Sequence, residues 1–375
     1  MSPVTRRRGL LAAVFISSSI GVLGLVPAAH ADEAPADASC TRSLPAGTST
    51  LEIQFESESY DVLVTVPDVA DTQELALVLD LHGSNSNGPN QLVLTELGSQ
   101  ALSDQFIIVE PTGDIPFAHT LPDGNWAWNV PGVPLTSGDF PPAGSRDDVA
   151  FLRAVVEQVD ASGCVDNDRV FATGFSGGGR MASALACEAS DIFAAIAPVA
   201  GLRSGRPDPA DLVMPEAANC TPENPVAVIS FHGNIDFVNP WEGNLDLRWG
   251  YTVPTAAEGW AAINQCEAGP TVEQVSNEVR SHTWTNCSEG ADVVLYEVIE
   301  GGHTWPGSPV DMSFLGYTTQ EISASALMLQ FFLDHPRPAG VPEPEPTPDT
   351  SPSQTQTASP EPSQTPKVGL PSTGK

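Results

Sequence analysis

The chain has 375 residues, 41% of them hydrophobic and 17% charged, with 47 acidic residues against 15 basic ones and a formal net charge of −32. That length suits one large α/β domain with extensions at its ends. A field so negative repels nucleic acid and anionic lipid, which excludes both as partners. The only lysines are Lys367 and Lys375, and a surface this acidic raises adaptation to salt as a hypothesis.

At the N-terminus, Arg6-Arg7-Arg8 precede an apolar stretch from Gly9 to Pro27, and Ala29-His30-Ala31 follows as a small-residue cleavage site. This is the layout of an export signal over residues 1–31, and paired arginines are compatible with the twin-arginine route. Ser17-Ser18-Ser19 interrupts the stretch, which argues against a retained membrane anchor. The signal carries three arginines and no acid, so its removal takes the formal charge from −32 to −35.

Between about Cys40 and His335 the chain shows no repeat and no second linker, so one folded domain is expected over 40–336. Thr50–Phe55 and Tyr60–Val66 alternate or run apolar, as an opening antiparallel pair does. Leu75–Leu81 is a near-continuous apolar run ending in His82-Gly83, which suits a strand buried on both faces of a parallel sheet. Phe106–Val109 reads as another short buried strand. Ser145-Arg146-Asp147-Asp148 reads as a helix start with Ser145 as cap, and the helix runs over Val149–Val159. Then come a strand at Val170–Thr173, a tight turn at 174–179 and a helix at Arg180–Cys187. Phe193–Val199 and Val226–Phe231 are further strands, Val293–Val298 is the last, and Ile322–Leu333 is a closing helix. Strands alternating with helices imply right-handed crossovers and a mostly parallel sheet.

Six cysteines occur, Cys40, Cys164, Cys187, Cys220, Cys266 and Cys287, none in the signal or the tail. An even count in an exported chain suggests three disulfides, with the pairing left open. There is no CxxC or His-rich spacing, so no metal site is expected. From residue 337 to 369 the chain is rich in Pro, Ser, Thr and Glu with almost no aliphatic residues, a composition that cannot offset its ordering entropy and reads as a disordered spacer. Leu370-Pro371-Ser372-Thr373-Gly374 resembles the LPxTG signal by which sortases join proteins to Gram-positive cell walls. The sequence stops at Lys375, before the hydrophobic segment such a signal carries. Sortase and the cell wall are therefore candidate partners, and the protein is expected to be extracellular.

The chemistry centres on Gly174-Phe175-Ser176-Gly177-Gly178, a G-x-S-x-G pattern that is weak alone and strong between a buried strand and a helix. There a nucleophile elbow puts the Ser176 hydroxyl above the sheet at a helix N-terminus, where amide dipoles favour developing negative charge. A serine hydroxyl needs a base. Of the seven histidines, His303 lies in Gly301-Gly302-His303-Thr304-Trp305-Pro306-Gly307, a loop after the last strand and before the closing helix. His30 leaves with the signal, His82 precedes the turn expected to carry the oxyanion hole, and His119, His232, His282 and His335 show no reason to meet Ser176. The orienting acid should fall between serine and histidine in chain order. Asp236 is the best candidate, following the strand at 226–231 and the turn His232-Gly233-Asn234-Ile235, with Asp246 in reserve. The Gly177 amide and the Ser84 amide, from His82-Gly83-Ser84, would form the oxyanion hole. Trp126, Trp128 and Phe140 lie in a long segment between Pro111 and Ser145 with the composition of a cleft-lining loop, and Trp305, two residues from His303, is expected to face the acyl site.

These blocks resemble one family. His82-Gly83, Asp147–Leu152, Gly174–Met181, Phe193–Gly201, His232–Asp236 and Gly301–Gly307 are similar to the polyhydroxybutyrate depolymerase/feruloyl esterase group, in the carbohydrate-esterase-one-like branch of the α/β-hydrolases, over roughly residues 45–335. The resemblance implies an α/β-hydrolase fold with helices on both faces of the sheet, a Ser176–Asp236–His303 triad, and no cofactor. It also implies the pairs Cys40–Cys164, Cys187–Cys220 and Cys266–Cys287. The chain departs from the group in having Ser84 where relatives often have Cys, and Gly177 where they often have Asn or Ala. Both positions act through backbone amides, so the departure bears on pocket shape. The expected substrates are carboxylic esters: feruloyl or acetyl esters of plant polysaccharide, or short hydroxyalkanoate polyesters. A serine peptidase of the prolyl-oligopeptidase kind shares the residue order, but no propeller-like repeats precede this domain. A surface adhesin that kept the fold without the catalysis is the third reading.

Overall fold

A computed structural model describes residues 40–117 and 124–338. The export signal at 1–31, His119, the spacer from residue 339 onward and the sorting motif at 370–374 lie outside the described residues. The chain divides into two units, 1–40 and 41–375, and the second contains every element that follows.

Strands β1 (Gly47–Phe55) and β2 (Glu58–Val66) form the expected antiparallel pair, and β3 (Leu75–Leu81) is buried at all seven positions. A short helix α1 (Gly88–Thr95) leads to β4 (Phe106–Glu110). The two-residue strands β5 (Ile115–Pro116) and β6 (Trp126–Ala127) pair in a small ribbon of their own. Helix α2 (Asp148–Gly163), strand β7 (Val165–Phe175), helix α3 (Gly177–Glu188) and strand β8 (Ala195–Val199) come next. A second ribbon, β9 (Pro207–Asp208) with β10 (Asp211–Pro215), precedes β11 (Ala227–Gly233) and α4 (Val253–Ile263). An edge hairpin of β12 (Ala268–Gln274) and β13 (Val279–Thr285), then β14 (Val293–Val298) and α5 (Ala324–Asp334), complete the fold.

The main sheet has ten strands in the order β1-β2-β4-β3-β7-β8-β11-β14-β13-β12. Its middle, from β4 to β14, is parallel throughout, and the antiparallel pairs lie at both edges. Alternate residues of one strand serve opposite layers, as the period of two requires. Leu75, Leu77, Leu79 and Leu81 face a core shared with Phe151, Leu152 and Val155 of α2, Met181 of α3 and Trp260 of α4. Ala76 and Val78 face the other layer, with Met328, Leu329 and Phe332 of α5. Both faces are covered, which is why the central strands read as continuous apolar runs. This is the α/β-hydrolase architecture.

Two boundaries differ from expectation. Asp147, not Ser145, caps α2, its side chain accepting from the Ala150 amide at 3.0 Å, while the Ser145 hydroxyl bonds the Pro142 carbonyl. A carboxylate at the cap also favours the helix dipole. The domain reaches past residue 336: the Arg337 amide donates to the Asp168 carbonyl at 2.7 Å and its guanidinium to the Ser190 carbonyl at 3.0 Å. The Cys187–Cys220 and Cys266–Cys287 disulfides are present, Cys40 and Cys164 are also oxidised, and no described cysteine is free.

Candidate active site

Ser176 stands between β7 and α3 with φ 54° and ψ −108°, a conformation that costs a non-glycine residue free energy. The surroundings enforce it. Its amide donates to the Val199 carbonyl at 2.8 Å and its carbonyl accepts from the Arg180 amide at 3.0 Å. The following glycines are required by space: a Cβ at residue 178 would sit 2.0 Å from the Leu81 carbonyl oxygen. A Cβ at residue 177 would sit 2.4 Å from Ser84 Oγ and 3.1 Å from Ser84 N. Residues 84 and 177 therefore lie against each other, and a serine at 84 fits against a glycine at 177. The same measurement puts the Ser84 amide beside the first amide of α3, one of those that have no acceptor within the helix.

The loop carrying Ser84 is pinned from three directions. The buried His82 ring donates through Nδ1 to the Gly83 carbonyl at 2.8 Å and accepts from the Gly113 amide through Nε2 at 2.9 Å. Burial first of all, with the Arg146 charge as a lesser cause, pushes the His82 imidazole down to about 4, so the ring is neutral at ordinary pH. Trp128 Nε1 bonds the His82 carbonyl at 2.8 Å, and Trp126 exchanges backbone bonds with Asn85 and Ser86.

On the opposite rim, His303 Nδ1 donates to Asp236 Oδ2 at 2.7 Å. That bond leaves Nε2 as the acceptor nitrogen. The other Asp236 oxygen accepts from the Val238 and Asn239 amides, both at 2.8 Å. A second imidazole, His232, reaches Asp236 Oδ2 at 3.3 Å and the Asn239 carbonyl at 2.8 Å through the same Nε2. Burial would raise the Asp236 carboxyl, but the bonds from His232 and His303 outweigh it and hold it well below the usual carboxylate range. Asp246 is elsewhere, accepting from the Arg248 amide. Sequence reasoning missed this role of His232, although its place four residues before Asp236 at a strand end was a usable signal.

Ser176 and His303 line one cavity of about 570 Å³, with Ser84, Phe117, Phe175 and Phe314 among its walls. The Phe175 ring lies 4.8 Å from the His303 ring. A neighbouring cleft of about 450 Å³ shares Phe117 and Thr136 with it and includes Phe140. None of the three tryptophans expected to bind substrate lines the first cavity. Trp305 is fully buried, its Nε1 donating to Ser325 Oγ at 3.0 Å, and it anchors the loop that presents His303 instead of facing the acyl site. Trp128 is core, and Trp126 lines a separate cleft with Asn87, Glu110 and Thr112. Indoles this large lower the free energy most when fully enclosed with the N–H satisfied. Phe117, Phe314 and Val93 supply the apolar walls, and no pattern in the sequence distinguishes them from ordinary surface or core residues. Among the described residues no group of His, Cys, Asp and Glu could hold a metal ion.

Known proteins are similar to this sequence over part or most of its length. The prolyl oligopeptidase family matches residues 146–205, the stretch from the start of α2 through the serine turn to the segment after β8. The NocK protein of Nocardia uniformis subsp. tsuyamanensis, which bears an esterase name, is 29% identical over 369 residues, covering 89% of this chain and 99% of its own. The chain is thus similar to esterases, on the α/β-hydrolase architecture. Feruloyl esterase C of Emericella nidulans is 32% identical over 169 residues, 44% of this chain and 52% of the fungal protein. Feruloyl esterase B of Piromyces equi is 30% identical over 183 residues, 47% of this chain and 31% of that one. Against these feruloyl esterases the chain thus spans about half their length or less. The solved structure of native sOPH superposes with a TM-score of 0.51 at 17% identity, over 80% of this chain and 90% of that one, a likeness of fold.

Proposed function

We propose that this esterase hydrolyses carboxylic esters through a covalent acyl-enzyme, with Ser176 as nucleophile, His303 as base and Asp236 as its orienting acid. The observation that supports it most is a strained serine sharing an apolar cavity with an imidazole whose far nitrogen is tied to a buried carboxylate. In the first step Ser176 Oγ bonds to the ester carbonyl carbon while its proton passes to His303 Nε2. The resulting oxyanion is met by the Ser84 and Gly177 amides. The intermediate collapses, the C–O bond to the alcohol breaks, and His303 returns the proton to the departing oxygen. Water then repeats the sequence on the acyl-serine, releasing the acid and the free serine. Asp236 keeps the proton on Nδ1 and stabilises the imidazolium.

The walls favour an aromatic acyl group over acetate. A cavity of about 570 Å³ faced by Phe117, Phe175 and Phe314 far exceeds what acetyl requires. The adjoining cleft beside Phe140 suits the alcohol side, such as a sugar chain. Feruloyl-type esters of polysaccharide are therefore the first choice, with acetylated polysaccharide and hydroxyalkanoate polyesters behind them. An exported enzyme held at the wall fits the leader-like N-terminus, the oxidised cysteines and the C-terminal motif. Comparing kcat/KM for methyl ferulate, p-nitrophenyl acetate, acetylated xylan and a polyhydroxybutyrate film tests the order. Methyl ferulate should lead; preference for acetate would show that the aromatic walls do not select the acyl group. The prolyl oligopeptidase match at 146–205 favours a second reading, a peptidase. Cleavage of proline anilides with indifference to all four esters would establish it.

A further inference from the structure

Ser84 brings two donors to the catalytic cavity, an amide and a hydroxyl, and the chemistry above uses only the amide. The residue is half-buried and lines the same cavity as Ser176 and His303. Its backbone runs along the serine turn. The point where a Cβ on Gly83 would lie is 3.6 Å from Ser176 Cβ. The corresponding point on Gly177 has Ser84 Oγ as its nearest atom and Ser84 N next, at 3.1 Å. The nitrogen and the hydroxyl oxygen of Ser84 therefore both stand beside the residue that follows the nucleophile. The backbone is fixed on either side of Ser84: the Gly83 carbonyl bonds His82 Nδ1 at 2.8 Å, and the Asn85 amide donates to the Trp126 carbonyl at 2.9 Å.

Both donors are uncommitted. Among the described residues neither the Ser84 amide nor the Ser84 hydroxyl has a hydrogen-bond partner. A serine hydroxyl turns about its C–O bond and donates one hydrogen bond in whichever direction an acceptor appears. Oγ and N of one residue are three bonds apart. An oxygen held at about 2.9 Å from the Ser84 amide, on the side of Gly177, thus comes within reach of the hydroxyl as well. Glycine at 177 makes this possible, because the first carbon of any side chain there would take the space Oγ fills. Donors aimed in advance at an oxygen that gains charge, in a site partly closed to water, contribute most when that charge develops.

We propose that the Ser84 hydroxyl is a third oxyanion donor, acting with the Ser84 and Gly177 amides, and so a catalytic residue through its side chain; this rests on the acyl-enzyme reading above. No proton changes hands. The hydroxyl keeps its hydrogen, directs it at the ester carbonyl oxygen as that oxygen becomes negative, and turns back to solvent when the carbonyl re-forms. The interaction is stronger in the tetrahedral states than with bound substrate, so its loss falls on kcat and leaves KM near its original value. Ser84→Ala isolates it, since alanine keeps the amide and the Cβ and removes only the O–H. A hydroxyl that merely filled the space beside Gly177 would contribute to stability and not to turnover.

Steady-state kinetics on methyl ferulate and p-nitrophenyl acetate, with melting curves, are to be compared for the unaltered chain, Ser84→Ala and Ser84→Thr. Inhibition by an aryl trifluoromethyl ketone, whose adduct on the nucleophile carries a full oxyanion, is measured alongside. For Ser84→Ala the expected kcat is roughly 10- to 50-fold lower on both esters, less than the loss of a sole side-chain donor because two amides remain. KM should stay within about twofold, the ketone should bind more weakly by the same factor as kcat/KM, and the Tm should not move. Ser84→Thr, which keeps the hydroxyl, should retain most of the turnover. Should Ser84→Ala fail to fold, Ser84→Gly takes its place under the same expectations. A kcat within about twofold of the unaltered chain, a loss confined to KM, or a threonine variant as slow as the alanine one overturns the proposal and leaves the acyl-enzyme reading standing. An unaltered chain that turns over no ester and takes no fluorophosphonate on Ser176 overturns both.

Discussion

Asp236 is the most heavily engaged side chain of the site: two amides on one oxygen and two imidazoles on the other. Asp236→Asn would preserve the shape but place an amide where His303 needs an acceptor, favouring the wrong tautomer. Turnover should fall by roughly 10³–10⁴-fold while the Tm changes little, as read from kcat and a melting curve. If Asp246→Asn had that effect instead, the acid is misassigned. Gly177→Ala tests the oxyanion side. The added methyl meets Ser84 Oγ, and displacing that loop should cost on the order of 100-fold in kcat. The double variant with Ser84→Gly removes the obstructing hydroxymethyl and should recover part of the loss. At this scale the sequence was most informative about polar chemistry and least about apolar walls. Ser176, Asp236 and His303 stand out by order and by their place at strand ends. Trp305 and Trp128 attract attention as aromatics near the site, yet they serve the core, whereas Phe314 became visible as a wall only when its loop was placed.

At the scale of elements, the central strands were legible because burial on both faces leaves an uninterrupted apolar run, as in Leu75–Leu81. The edge hairpin was not: every residue of β12 is exposed, and Ala268–Gln274 has no alternation to read. Helix α4 was missed although Thr252 caps it and Pro254 sits in its first turn, because its small Ala-rich face gives weak contrast. Helix α1 is held to β3 by Asp80, which accepts from Gln91 Nε2 and Thr95 Oγ1, both at 2.7 Å. Burial pushes the Asp80 carboxyl up to about 7 despite those bonds. Glu110 nearby is also raised, by burial first and by Asp80 second. A folded value above the unfolded one means the native state holds extra protons, so stability falls as pH rises from about 4 to about 7. Denaturant titrations at pH 5 and pH 8 should show this loss in the native sequence and a smaller one in Asp80→Asn. The Cys187–Cys220 bridge joins α3 to the segment before β11 across 33 residues. Replacing both cysteines by alanine should lower unfolding free energy by roughly 3–4 kcal/mol on loop-closure grounds, checked by the same titration.

For the whole molecule, charge is the dominant feature. With 47 acids and 15 bases, the folded chain repels itself, and added salt should raise the Tm irrespective of the ion pair chosen. Activity and stability that fell steadily with added NaCl would dispose of the salt-adaptation reading. Between about Cys40 and His335 the sequence offers no linker, and every described element falls within the unit 41–375.

The account turns on Ser176 being the residue that forms the covalent bond, under activation by His303. Peptide mass spectrometry after treatment with a fluorophosphonate measures this directly. One phosphonyl adduct per chain is predicted, on Ser176, with labelling abolished by Ser176→Ala and slowed at least 100-fold by His303→Ala. Labelling at another serine, or full ester turnover in an enzyme whose Ser176 stays unmodified, would contradict it.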